Sequence, residues 1–385
     1  MRYIHFFENT NEYGVTRNYN YLEPWLSLVT ENQKVNYNKN ENEKKISTPL
    51  TFEITRGGKL YWRLNKAGGV AKTIDYKKNN GDWVTITSTT GGTVIDVTTG
   101  DIIQFRGDNE VYSNGDWFNS FDPTTANTNN AAIYVAKGNI MSLINKTNFP
   151  TIFELGNNAL RNMFIRTKIT DASDLLLPAR KVGEQCYTVM FKQCDILDTA
   201  PSILPATTLA SKCYSNMFEG CTSLTTAPSI LPATTLATSC YSSMFSDCRS
   251  LTTAPELPAT TLTEGCYNLM FKGCTSLTQA PELPAVELAS YCYRNMFSDC
   301  TSLTTAPELP ATILIDECYR SMFNRCNRLN YIKCLATDIS ASNCTTYWVS
   351  GVVASTGTFV KNPSMTGWTT GTSGIPNGWT IIEAS

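Results

Sequence analysis

Apolar residues in the second half of the chain recur in a fixed order. Cys-Tyr is followed by two other positions, then Met-Phe, two more, Cys, and a Leu at the third place after it. Cys240-Tyr241, Met244-Phe245, Cys248 and Leu251 form one copy. At about 100° per residue the first five fall within one arc of about 140°, which predicts a short two-turn helix with an apolar stripe. Leu251–Leu257 then reads as a short strand ended by Pro258, and Pro255 removes one ladder donor from it. The first half alternates instead. Leu50–Thr55, Lys59–Leu64, Lys72–Tyr76, Trp83–Thr87, Thr93–Val97, Ile102–Arg106 and Ala131–Ala136 read as strands. Asn79–Asp82 and Thr90–Gly92 read as hairpin turns. Seven short strands with turn signals predict an all-β, sandwich-like domain over residues 46–150.

The cysteines turn the apolar order into a repeat. All 14 lie at or after Cys186, and twelve pair as Cys-x7-Cys: 186/194, 213/221, 240/248, 266/274, 292/300 and 318/326. Both columns advance in step, and Cys344 continues the first. A fixed period of about 26–27 residues signals a solenoid or an array. Met163-Phe164 stands one period before Met190-Phe191, with Ala159 and Thr167 in the cysteine places. That copy reads as a polar capping repeat. A lone repeat cannot bury its own faces, so residues 151–348 are predicted to stack as one right-handed α/β solenoid, a helix and a strand per turn. Residues 349–385 leave the repeat, carry Trp368 and Trp379, and are predicted to cap the open end.

Residues 1–45 read as an arm. Glu31–Lys45 is polar, charged and of low complexity, a linker composition. Before it lies the apolar patch Leu22, Pro24, Trp25, Leu26 and Leu28, a candidate docking peptide. Packing back onto the β-domain is the alternative role for that patch.

Phe-x-x-Cys-x-x-Leu followed by a short strand and proline resembles the leucine-rich repeats of BspA-like bacterial surface proteins. Met296–Leu314 is similar to arrays in gut Bacteroidales (Bacteroides-type) proteins and their phages, including crAss-like phages. The resemblance covers about residues 155–348. The segment Glu23-Pro-Trp-Leu-Ser-Leu-Val-Thr-Glu-Asn with Val35-Asn-Tyr-Asn resembles N-terminal segments of Bacteroidales phage and prophage proteins. The resemblance implies a leucine-rich-repeat binding scaffold, not an enzyme.

Charge and chemistry narrow the function. Lys and Arg number 31 against 33 Asp and Glu, which excludes a nucleic-acid-binding stripe. No apolar run reaches the roughly 18 residues of a membrane span, and the first residues show no signal-peptide pattern. One histidine, His5, and no Cys-x2-Cys leave no metal set, no cofactor site and no base for a catalytic serine or thiol. No spacing among the acids marks a glycosidase pair. The cysteine columns are either buried reduced thiols, packing as small hydrophobes, or bridges between adjacent repeats about 5 Å apart.

Glu256, Glu282 and Glu308 share a column at the strand end, and Thr252 and Thr304 precede two of them. Either these form a solvated rim, or the glutamates make an acidic ladder for a cation, a basic partner or sugar hydroxyls, with the threonines lining a glycan-binding surface. Arg106-Gly107-Asp108 spells an integrin tripeptide at a strand end. The loop Asp108–Phe121, rich in aromatics, reads as a contact with the first repeat or as a second glycan site. The expected protein is a phage virion fibre or decoration. It would join other virion proteins through its arm, bind host-surface glycan or protein through the repeats, and admit a homo-oligomeric state. The alternative is a bacterial cell-surface adhesin.

Overall fold

The computed structural model describes residues 44–123 and 128–385. The arm anchors Leu22, Pro24, Trp25, Leu26 and Leu28 lie outside the described residues. The N-terminal strands are β1 (Leu50–Arg56), β2 (Gly58–Leu64), β3 (Thr73–Lys78), β4 (Trp83–Thr87), β5 (Thr93–Val97), β6 (Ile102–Gly107), β7 (Ser113–Asn114), β8 (Trp117–Ser120) and β9 (Ile133–Asn139). Every strand expected from alternation is present, with small shifts at the ends. Four of them, β1, β6, β3 and β4, continue from β9 as one antiparallel run, while β5, β2, β8 and β7 make a second sheet. Asn79–Asp82 is the expected hairpin turn, joining the antiparallel pair β3 and β4. The turn at Thr90–Gly92 is not a hairpin: it carries the chain from β4 in one sheet to β5 in the other. Phe52 and Phe105 of the first sheet meet Trp62 of the second around Phe121, with ring centroids 4.8–5.2 Å from it.

The repeats contain no α-helix, which corrects the expected α/β rung. In the rung beginning at Ala237, the N–H groups of Cys240, Ser242, Met244, Ser246 and Cys248 each donate to the carbonyl three places back, at 3.1–3.2 Å. The alternate residues Tyr241, Ser243, Phe245 and Asp247 donate to Cys266, Asn268, Met270 and Lys272 of the next rung, at 2.7–3.0 Å. Half of the donors therefore leave the rung, whereas an α-helix keeps them within its own i→i−4 ladder. Ser239, Ser243 and Asp247 take φ of 53°, 55° and 58°, so every fourth residue is left-handed. The result is a chain of overlapping turns with a period of four. Over so short a stretch, that period and the helical 3.6 place the same side chains on one side.

The expected strand is also reduced. Beyond the short parallel pair β10 (Glu154–Leu155) and β13 (Lys181–Val182), the inner rungs meet in single parallel bridges, such as Thr253 with Gln279, Gln279 with Thr305, and Thr261 with Glu287. Prolines at 255 and 258 have no N–H to donate, and the other rungs repeat them. A true strand returns at β14 (Tyr331–Cys334), where the proline is lost, and it continues in parallel to β15 (Thr358–Lys361) and β16 (Thr380–Glu383). The C-terminal segment thus extends the stack. Trp348 stacks on Tyr319 at 6.4 Å and Trp368 on Trp348 at 5.4 Å. Gly357 is required there, since a Cβ would stand 2.5 Å from the Trp379 ring.

One apolar core runs from Leu50 to Trp379. Its axis is two aromatic columns, Tyr187 to Tyr319 at 5.4–6.1 Å per step and Phe164 to Phe323 at 5.1–5.9 Å. The first rung is not the polar cap expected from Ala159 and Thr167. Phe121 stacks on Phe164 at 5.8 Å, and β11 (Ile169–Asp171) and β12 (Leu175–Leu176) pair in parallel with β9. The sheet therefore seals the end of the array with apolar rings and shared backbone bonds. Asp122, fully buried, accepts from Arg63 at 2.6 Å and from Arg166 of the first rung at 2.5 and 3.2 Å.

Candidate functional site

After the turn chain each rung runs extended, and burial alternates along it. In one rung Leu257 and Ala259 are buried while Glu256 and Thr260 are exposed, with Pro258 half-buried between them. The period of two follows from the pleat of extended backbone. The next rung exposes Glu282, Pro284 and Val286, and the one after it Glu308 and Thr312 around Pro310. The five residues singled out by sequence, Thr252, Glu256, Glu282, Thr304 and Glu308, are all exposed and lie on the extended segments of three consecutive rungs.

Their charges are not equivalent. Glu308 accepts an ion pair from Lys333 one rung further on, at 3.0 Å. Glu256 and Glu282 have no ion-pair partner among the described residues. Ile230 occupies the neighbouring place before Glu256, bridged to it. The acidic run is thus bounded by an apolar residue at one end and a lysine at the other. Sequence reasoning missed Lys333 and the exposed apolar pair Val286 and Ile313, which are 62% and 59% exposed. The column register carried one rung beyond Glu308 reaches Cys334; the bridge of Leu309 to Cys334 shortens that step by one residue and brings Lys333 beside Glu308.

The thiols are placed for packing. All 14 cysteines are free and buried. Each second-column thiol from Cys194 to Cys326 donates to the carbonyl of the Phe in the preceding rung, at 2.9–3.1 Å. Burial pushes Cys194, Cys266, Cys318 and Cys334 up to about 12. As long as the core stays closed, such neutral, hydrogen-bonded thiols supply neither a nucleophile nor a metal ligand. Among the described residues no group of three or more His, Cys, Asp or Glu is placed to hold a metal ion.

The remaining candidates are engaged inside the fold. Arg106 pairs with Asp75 and stacks on Trp83, and Asp108 pairs with Lys146, so the tripeptide charges are tied down. The loop Asp108–Phe121 contacts the first rung: Tyr112 N–H donates to the Ala159 carbonyl, and Arg161 reaches the Gly115 carbonyl at 2.7 Å. On the turn side, Arg294 and Arg320 both converge on Glu317. Among the described residues no helix is long and apolar enough to cross a membrane.

No family model matches the chain, and no curated protein matches it. Among solved structures it is similar to a leucine-rich repeat protein from Bacteroides ovatus, at 16% identity and a TM-score of 0.24, over 61% of this chain and 73% of that one. A likeness at that TM-score says nothing about function, and the repeat architecture stands on the rungs described above.

Proposed function

We propose that this protein is a non-enzymatic binding component of a phage virion, a fibre or decoration protein. The arm before residue 46 attaches it to other virion proteins. A sandwich-like domain follows, and a BspA-like leucine-rich-repeat array displays the extended face to glycan or protein on the host surface. The observation that carries this reading is the continuous core from Leu50 to Trp379 under a periodic outer face. A rod of that kind holds Glu256 and Glu282, neither in an ion pair, and the nearby threonines at fixed spacing. Carboxylates accept hydrogen bonds from sugar hydroxyls, and threonines accept and donate. A repeated row of such groups suits a repeated ligand.

Replacing Glu256, Glu282 and Glu308 together by glutamine tests the face. Binding to host cells or their surface polysaccharide should fall at least about tenfold, as for the loss of one or two charge-assisted hydrogen bonds, with thermal unfolding unchanged. Undiminished binding would move recognition to the turn side or to the β-domain. Removing residues 1–43 tests the attachment: the truncated protein should fold and fail to join particles. Normal incorporation would assign attachment to the β-domain, and export to the surface of a bacterial host cell would favour the adhesin reading.

A further inference from the structure

The last thiol of the first column differs from the rest. Thirteen cysteines are fully inaccessible, and Cys344 is the exception at 3% exposure. Its rung is the outermost one to carry a column cysteine. Tyr347 and Val353 near it are 54% and 71% exposed, and segments with exposed apolar side chains open locally at lower cost than a sealed core. The geometry next to Cys344 is nevertheless regular. Tyr319 N–H donates to the Cys344 carbonyl at 2.9 Å, as Tyr293 does to Cys318 at 3.1 Å. Bonding of this kind puts the Cα atoms of Cys318 and Cys344 at about the 5 Å spacing of paired strands, inside the range of about 4.4–6.8 Å that a disulfide spans. A third thiol lies close by. Cys334 takes the place that Leu309 fills in the preceding rung, and the charge of Cys344 acts on both Cys318 and Cys334.

We propose that Cys344 and Cys318 form a reversible oxidation site, whose co-reactant is a small-molecule disulfide and whose product is a covalent bond between the last two column rungs. The Cys344 thiol loses its proton during local opening of its rung and attacks the small disulfide. One S–S bond forms on Cys344, and one small thiol leaves. Cys318 then loses its proton and attacks the Cys344 sulfur, expelling the second small thiol. Two protein thiols give up two electrons and two protons, and the small disulfide is reduced to two thiols. Inner column pairs have the same spacing but no route for the first attack, so oxidation of the folded protein stops at one bond. The bond would pin the rung that leads into β15 and β16.

The full chain, reduced and folded, is incubated with oxidised glutathione at neutral pH, and its disulfides are mapped by peptide mass spectrometry. One bond, Cys318 to Cys344, is expected, with amide exchange over Thr358–Lys361 slowed at least about tenfold. The Cys344→Ala variant should consume no oxidant, and Cys334→Ala should oxidise like the parent. No bond in the parent, a bond from Cys344 to Cys334, or bonds spread along the columns would each overturn the proposal. So would unchanged oxidation in Cys344→Ala.

Discussion

Asp122 joins the two halves of the molecule, and its removal is the sharpest test of that junction. In Asp122→Asn the side chain keeps its shape and loses its charge. Arg63 and Arg166 would then face a neutral amide at the places where they now donate at 2.5–3.2 Å. The two arginine side chains are 14% and 29% exposed, so water recovers only part of the loss. Hydrogen bonds to charged groups contribute about 1.5–3 kcal/mol each. Taking the low end for two cations gives about 3 kcal/mol, at the lower edge of the range for breaking a buried ion pair. Urea unfolding read by tryptophan fluorescence suits the measurement. Trp62, Trp83 and Trp117 lie in the N-terminal sheets, and Trp348, Trp368 and Trp379 at the far end. The midpoint should fall for the whole protein if the core is one unit, and only for the N-terminal signal if the halves unfold apart. A loss below about 0.5 kcal/mol, the scatter of neutral surface changes, would refute a supporting role for this contact.

Val189 is a β-branched residue held at φ 62°, in a column that otherwise includes Asn162, Asn216 and Asn295. Val189→Asn should stabilise the array by about 1 kcal/mol, because the left-handed conformation costs a β-branched residue about 1–2 kcal/mol, and thermal unfolding checks it. Stability should also fall steeply in alkali. Burial raises the folded thiols above their ordinary value of 9.0, to about 12 at Cys194, Cys266, Cys318 and Cys334. Their contribution is therefore complete below pH 9 and is lost as pH rises towards 12. Each group costs about 1.4 kcal/mol per pH unit in that window, so a few exceed the stability of a typical domain of about 5–15 kcal/mol. Circular dichroism should record unfolding between about pH 9 and 11, and an intact fold at pH 11 would contradict the buried-thiol core.

The repeat was legible in the chain because its signal is a register. Twelve cysteines at a fixed period, with Tyr, Met, Phe and Leu at constant offsets, leave one way of stacking that buries every column. The N-terminal strands were legible from alternation, since extended backbone turns successive side chains to opposite faces. The exposed Thr and Glu residues followed from the same two patterns. Four things were decided only by the tertiary structure. Turns replaced helices because the carbonyls of the next rung compete for alternate N–H groups, and a neighbour one full repeat away leaves no mark on the short pattern between two cysteines. The first rung lost its role as a polar cap because the rings of Phe52 and Phe121, far away in sequence, pack upon it. Glu308 left the acidic row because Lys333 approaches from the following rung. The thiol of Cys344 became distinct because the chain that covers its rung, around Ser373 and Gly374, has left the repeat. In each case the deciding partner is non-local, and local periodicity carries no information about which distant group arrives to satisfy a donor, cover a ring or neutralise a charge.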